Sequence, residues 1–112
     1  MTIYNFGSIV LDNFYRMPRI PLPGESVRAN DVNFGLGGKG ANQSIAARKA
    51  GSDVVHIGAI GFDGEHILNN LKKLKINTKH IYISNVKTGH ANITIDPKGE
   101  NAITFFAGAN DD

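Results

Sequence analysis

Glycine spacing restricts the fold most strongly between residues 34 and 51, which read FGLGGKGANQSIAARKAG. Four of the six positions from 35 to 40 are glycines. Small and apolar residues then recur at helical spacing over residues 40–50, and Gly51 is a typical helix stop. A bare backbone at a helix N-terminus can approach another backbone or a ligand very closely. The stretch therefore predicts a helix over 40–50 that begins at a glycine-lined contact or binding site.

Strand-like segments alternate with helical ones around this stretch. Ile3–Val10 is apolar and predicts a buried strand that ends at Asp12, and VVHIGAIG (residues 54–61) predicts a second one. A helix with an apolar stripe follows, and Asp63 is its predicted N-cap. Strands that alternate with helices favour a parallel sheet. The predicted class is therefore α/β.

Two other segments predict a smaller antiparallel layer. Residues 13–34 are rich in proline and turn formers, and their second half predicts one or two partly exposed strands. HANITID (residues 90–96) alternates apolar and polar residues, as a half-buried strand does. DPKG suits a type I turn, and NAITFFAG after it predicts a second strand that runs back along the first. Residues 89–107 are thus predicted to form a hairpin.

Composition excludes several classes of function. A chain of 112 residues holds one domain at most. The absence of cysteine excludes a disulfide scaffold and a cysteine nucleophile, and it fits a reducing, cytoplasmic compartment. Scattered basic residues with a net charge of +2 favour no nucleic-acid partner, and no apolar run approaches the ~20 residues that cross a membrane. The histidines show no ligand spacing, so no metal site is predicted, and His56 is interpreted as a hydrogen-bonded core residue.

One interpretation of the glycine run is a dinucleotide-binding module. Gly35, Gly37 and Gly40 match G-x-G-x-x-G, and Asp63 follows close to the expected acidic position. Against it, a long turn-rich segment separates the first strand from the motif, whereas the fingerprint directly follows a strand. The phosphate loop G-x-x-x-x-G-K-[ST] is excluded because Lys39 precedes Gly40.

The other interpretation is a sugar site. Gly37 and Gly38 expose N–H groups, and Asn42 in the first helical turn offers a donor and an acceptor. Asp12, expected at the carboxyl end of the first strand, accepts from hydroxyl groups and would repel a bare phosphate. Donors opposite a carboxylate favour an uncharged, polyhydroxylated ligand.

Five segments, in order, resemble the N-terminal third of the ribokinase-like carbohydrate kinases. They are GSIVLD (7–12), PLPGESVRAN (21–30), GLGGKGANQSIAARKAG (35–51), IGAIGFDGEHILNNLKKLKINT (57–78) and TGHANITIDPKGENAITFFAGAN (88–110). The resemblance implies a three-layer α/β/α fold with a small antiparallel β lid. Residues 1–112 would form part of that kinase domain, with lid strands at about 13–34 and in part of the 89–107 hairpin. The implied activity is transfer of the ATP γ-phosphoryl group to a sugar hydroxyl.

The resemblance also implies residue roles. It assigns a sugar-binding role to Asp12, Gly37, Gly38, Lys39, Gly40, Ala41 and Asn42. The family's ribose-specific members carry an asparagine at the position of Val10, and a valine cannot hydrogen-bond to a hydroxyl group. The resemblance therefore does not determine which sugar is bound. Asn110 is interpreted as a turn residue.

The family's ATP site, anion hole and catalytic aspartate come from a C-terminal glycine-rich motif that these residues lack. ATP and Mg²⁺ are implied for a full-length enzyme, while no catalytic, cofactor-binding or metal residue is assigned in this chain. We therefore expect a fragment that is inactive as a kinase on its own. A homodimer through the lid strands is implied, and a non-catalytic dimerisation unit remains a further alternative.

Overall fold

A computed structural model describes residues 1–112 as seven strands, two α-helices and a short 3₁₀ helix. In chain order they are β1 (Thr2–Phe6), β2 (Val10–Arg16), β3 (Asp31–Gly37), α1 (Lys39–Lys49), β4 (Asp53–Gly61), α2 (Glu65–Lys73), β5 (Asn77–Ser84), β6 (His90–Ile95), β7 (Asn101–Phe106) and the 3₁₀ helix Gly108–Asp111. The strands form two separate sheets. None of the helices has the length and apolarity needed to cross a membrane.

The first sheet, here called the core sheet, has the strand order β1-β4-β5 with every pair parallel. Helices α1 and α2 pack against its strands. Ile67 and Leu71, one helical turn apart on α2, are fully buried, as the predicted apolar stripe requires. Their cluster also contains Ile9, Ala41, Val54, Ile60, Ile76 and Ile81. The predicted α/β class is confirmed.

The second sheet has the order β3-β2-β6-β7. Its outer pairs are antiparallel, and its central pair, β2 with β6, is parallel. The hairpin predicted over 89–107 is confirmed, since β6 and β7 pair from His90↔Phe106 to Ile95↔Asn101. Its DPKG turn closes through a 3.0 Å bond from the Gly99 N–H to the Asp96 carbonyl.

The prediction of one strand from Ile3 to Asp12 is wrong. The chain leaves the core sheet after Phe6 and enters the second sheet at Val10. At the break, the main chain of Gly7 lies against Gly40, and a Cβ on Gly7 would fall 2.6 Å from the Gly40 Cα. The N–H and carbonyl of Ile9 bond to the Asn110 side chain at 3.0 and 2.9 Å instead of to a strand. Asp12 consequently lies inside β2, not at the carboxyl end of a core strand.

Asp63 is not the cap of α2, so that prediction is wrong as well. The helix begins after Gly64 without a side-chain cap. The Asp63 Oδ1 instead accepts hydrogen bonds from the N–H and the hydroxyl of Thr88, at 2.9 and 2.7 Å. The Thr88 hydroxyl accepts in turn from the Gly61 N–H at 2.8 Å. The Asp63 carboxylate thus bonds to Thr88, 25 residues away, and not to the N-terminus of α2 as the capping preference of aspartate predicts.

Candidate functional site

The Asp12 side chain lies among very small residues of the second sheet. Asp12 pairs with Gly35 on β3 and with Ala91 on β6, and Gly37 lies diagonally across on the same face. Residues directly opposite in neighbouring strands point to the same face. The carboxylate is therefore bordered by positions with no side chain or a single methyl group. Phe14 lies two residues along β2 on that face, where it adds an apolar wall.

The Asp12 carboxylate is in direct contact with Gly37. A Cβ on Gly37 would fall 2.2 Å from Oδ2, far inside van der Waals contact, so this carboxylate position requires a glycine. Burial raises the pKa of the Asp12 carboxyl above its ordinary value. The carboxylate receives no hydrogen bond from the chain. Its oxygens are therefore available to accept from a ligand.

Gly38 turns the chain from β3 into α1. It has φ 92° and ψ 134°, a left-handed backbone that favours glycine, and a Cβ there would lie 2.7 Å from the Ser8 carbonyl oxygen. Its N–H donates no hydrogen bond within the chain. Lys39 and Asn42, in the first turn of α1, are exposed, and the Asn42 amide has no partner in the chain. These groups make no hydrogen bond within the chain and are therefore free to meet a ligand.

Two residues of the predicted site, Gly40 and Ala41, are packed inside the protein. Ala41 is fully buried in the core, and its N–H donates to the Ser8 carbonyl at 3.0 Å. Gly40 is buried against the main chain of Gly7 and Ser8, with a virtual Cβ only 2.3 Å from the Gly7 carbonyl carbon. The structure thus brings together Asp12, Gly37 and Gly38, of which Asp12 and Gly38 are half-buried and Gly37 is buried, while Gly40 and Ala41 are packed in the interior.

A polar network of the half-buried Asn5 and the fully buried Ser44 and His56 lies next to this glycine run, and its residues were only partly anticipated from the sequence. Asn5 Nδ2 donates to the Gly40 carbonyl and to Ser44 Oγ, at 2.8 and 2.9 Å. Ser44 Oγ lies 2.6 Å from His56 Nδ1, and His56 Nε2 lies 3.1 Å from the Gly7 carbonyl. The interpretation of His56 as a hydrogen-bonded core residue is confirmed. Burial lowers the pKa of His56, an effect that its bond to Gly7 partly opposes.

A concavity of about 530 Å³ lies on the core sheet, and Asp12 is not among the residues that line it. Its walls include Phe6, Ile57 and Tyr82, and Asn110 lies at its rim. Asn110 belongs to the 3₁₀ helix, where its side chain also donates to the Ala107 carbonyl at 3.0 Å. This geometry agrees with a turn role for Asn110 and does not place it beside Asp12.

The geometry disfavours the dinucleotide interpretation. The strand before α1 is β3, which belongs to the antiparallel part of the second sheet, whereas the fingerprint requires a strand of a parallel βαβ unit. Gly35 lies inside that strand, paired with Asp12, instead of in a phosphate-binding turn. The Asp63 carboxylate, the candidate ribose ligand, is occupied by Thr88. Hydrogen bonds from Thr88, helped by Lys87, outweigh its burial and lower the pKa of Asp63.

Comparison with known proteins gives a consistent result. The pfkB family of carbohydrate kinases matches residues 3–112. Ribokinase from Staphylococcus aureus (strain COL) is 39% identical over 109 residues, which cover 93% of this chain and 36% of the relative. Ribokinase from Cryptococcus neoformans var. grubii serotype A, solved with ADP, superposes with a TM-score of 0.89 at 37% identity, over 96% of this chain and 35% of that one.

Ribokinase from Arabidopsis thaliana, solved with ribose and ATP, superposes with a TM-score of 0.85 at 28% identity, over 96% of this chain and 36% of that one. The chain thus spans about a third of the length of the relatives that it matches. The expected fold, part of a ribokinase-like α/β structure with an additional β layer, is confirmed by these superpositions.

Proposed function

We propose that this chain, which belongs to the pfkB family of carbohydrate kinases, is the sugar-binding part of an enzyme that transfers a phosphoryl group from ATP to a sugar hydroxyl. Membership of the family rests on the match over residues 3–112. The relatives reported above are ribokinases, and one was solved with ribose and ATP. Since the chain spans about a third of their length, the activity is proposed for the whole enzyme.

One observation carries the proposal: an unpaired, partly buried carboxylate lies against the main chain of a glycine run. Asp12 can accept from one or two neighbouring hydroxyl groups, while the free N–H of Gly38 can donate to a sugar oxygen. Gly35 and Ala91 leave room on that face for a ring. Asn42 offers a further donor and acceptor close to the turn. This combination suits a neutral ligand with many hydroxyl groups.

We further propose that the second sheet acts as a lid over the bound sugar. Closure of such a layer excludes water, which would otherwise compete with the sugar as phosphoryl acceptor. Lid-to-lid contact between two copies would cover apolar residues on one face of this sheet, such as Ile103 and Phe105, which are each 59% exposed. A homodimer in the cytoplasm is part of the same proposal.

ATP and Mg²⁺ are proposed as the cofactors of the complete enzyme. No group of three or more histidine, aspartate or glutamate side chains lies together in the structure, so this part of the enzyme offers no all-protein cage for a metal ion. Magnesium at kinase sites is held mainly by substrate phosphates together with one or two carboxylates. Phosphoryl transfer depends on positioning and on charge stabilisation at the transferred group. The residues of this chain position the sugar for that reaction.

The identity of the sugar depends on Val10. Val10 lies two residues before Asp12, on the same face of β2, and is almost fully buried. It can contact the apolar edge of a ring but cannot bond to a hydroxyl group. A panel of D-ribose, 2-deoxy-D-ribose, D-fructose and adenosine therefore tests sugars that differ in the hydroxyl groups they present.

The test is calorimetric titration of the purified protein with this panel. We expect saturable binding of at least one sugar, loss of that binding in Asp12→Asn, and no binding of NAD. Asp31→Asn, at the far end of the same sheet, is the matched control and should bind as the unmodified protein does. Equal affinity of Asp12→Asn and Asp31→Asn would contradict the proposed site.

A further inference from the structure

We infer that Asn5, Ser44 and His56 form a positioning network that sets the geometry of the sugar site from beneath. The inference rests on the proposed function for the identity of the ligand, but not for the geometry itself. None of these side chains touches the surface where the sugar would lie. They act through the two main-chain segments that carry Asp12 and the glycine run.

The hydrogen bonds of the network have one consistent direction. The Gly7 carbonyl can only accept, so His56 Nε2 carries the proton and Nδ1 is an acceptor. The Ser44 hydroxyl therefore donates to Nδ1 across 2.6 Å. Its oxygen accepts in turn from Asn5 Nδ2, whose second proton reaches the Gly40 carbonyl. Every member thus has a partner, with His56 neutral.

The network ends at the carbonyls of Gly7 and Gly40, which belong to the two main-chain segments that meet below the site. Gly7 and Gly40 touch through main-chain atoms alone, and neither has a side chain that could fix their separation. The direct main-chain bond between the segments runs from Ala41 to Ser8. The network adds bonds at both carbonyls and connects them through β1, α1 and β4. It therefore determines how closely the two segments approach.

Small displacements where Gly7 and Gly40 touch are passed along the chain to Asp12 and Gly38, the groups proposed to bind the sugar. From Gly7 the chain reaches Asp12 after four intervening residues, and from Gly40 it reaches Gly38 after one. Ser44 and His56 are both fully buried, so water does not compete for their bonds. Hydrogen-bonded side chains beneath a glycine segment can hold the donors and the acceptor of a binding site at a fixed distance.

The experiment compares Ser44 and His56 with Thr88, a hydrogen-bonded residue that is equally buried but belongs to a different network. His56→Phe removes both imidazole bonds, Ser44→Ala breaks the link in the middle, and His56→Gln keeps a donor that can reach the Gly7 carbonyl. Thr88→Val is the control, since Thr88 is also fully buried and anchors the bonds to Asp63 and Gly61 instead. Sugar affinity, thermal stability and backbone amide resonances are measured for each variant at pH 7.5.

We expect about a tenfold loss of sugar affinity in His56→Phe, a smaller loss in Ser44→Ala, and partial recovery in His56→Gln. Thr88→Val should lose stability without losing affinity. Amide resonances of Asp12, Gly37 and Gly38 should shift in His56→Phe and stay in place in Thr88→Val. Should His56→Phe fail to fold, Ser44→Ala and His56→Gln carry the same comparison.

Two results would overturn the inference. One is a loss of stability in the His56 and Ser44 variants, equal to that of Thr88→Val, with unchanged affinity. The other is unchanged resonances at Asp12, Gly37 and Gly38 in those variants. If the unmodified protein binds no sugar of the panel, the proposed function fails, while the resonances still decide whether the network positions these residues.

Discussion

Gly40→Ala is expected to destabilise the protein although alanine is the better helix former. The new Cβ would lie 2.3, 2.4 and 2.5 Å from the carbonyl carbon and Cα of Gly7 and the nitrogen of Ser8. Carbon atoms normally approach to about 3.5–4.0 Å, so the crossing must open by roughly 1 Å. All three atoms belong to the backbone and cannot rotate away.

The magnitude follows from two opposing effects. Overpacking of a tight site costs about 1–3 kcal/mol, and a clash with three backbone atoms belongs at the upper end of this range. Helix propensity returns at most about 1 kcal/mol. The net loss is then about 2 kcal/mol. An unfolding entropy of about 2.1 cal/mol/K per residue makes 1 kcal/mol equivalent to about 4 °C for this chain, so Tm should fall by about 8 °C.

Two neighbouring glycines provide the comparison. A Cβ on Gly35 would meet only the Phe14 ring, at 3.7 Å, so Gly35→Ala should change Tm by less than about 2 °C. A Cβ on Gly37 would meet the Asp12 carboxylate, which can swing aside. Gly37→Ala should therefore lose less stability than Gly40→Ala but lose sugar affinity.

Thermal unfolding followed by circular dichroism, with sugar titration of the folded variants, measures both quantities. A Gly40→Ala variant that melts within about 2 °C of the unmodified protein would refute the expected clash. A Gly35→Ala variant as unstable as Gly40→Ala would also refute it, and the dinucleotide fingerprint would require that result for its first glycine.

Further outcomes are expected elsewhere in the chain. Burial raises the pKa of Asp12, so the stability that this carboxyl contributes is full below pH 3.8 and is lost as the pH rises through its folded-state pKa. Asp12→Asn should therefore unfold at a higher urea concentration than the unmodified protein at pH 7. This difference should disappear below pH 3.8. Because burial lowers the pKa of His56, stability should fall as the pH drops below 6.5 through its folded-state pKa; a His56→Phe variant with the same dependence would refute this. Asp63→Ala leaves the buried Thr88 N–H unpaired and should cost about 1–3 kcal/mol by denaturant unfolding, without any effect on NAD binding. Phe6, 81% exposed, should promote association of the purified chain, and sedimentation should show more monomer for Phe6→Ser; a clean monomer before substitution would contradict this.

Local patterns were sufficient to predict several elements of the fold. The apolar stripe that includes Ile67 and Leu71 predicted α2, and the alternation before the Asp96 turn predicted the hairpin. The break after Phe6 was missed because its causes lie far away in the sequence. Gly40 and Asn110 create it through contacts that no local pattern contains.

The candidate site was predictable in its parts but not in its arrangement. The contact between Asp12 and Gly37 agrees with the expectation that a carboxylate faces the glycine run. Its location was not anticipated, because Asp12 belongs to the second sheet. Asn5 gave only a weak signal, a polar residue in an apolar run, and its link to Ser44 depends on the packing of α1 against β1.

The parallel pairing of β2 with β6 has a consequence for how the molecule acquires its shape. This ladder joins residues such as Asp12 and Ala91, which are 79 positions apart in a chain of 112 residues. Bringing such distant partners together has a large entropic cost, which slows folding. We expect β2 and β6 to pair after β1, β4 and β5 have assembled, because the core sheet fixes the points from which these two strands depart. Ligand binding would therefore be among the last properties to return during refolding.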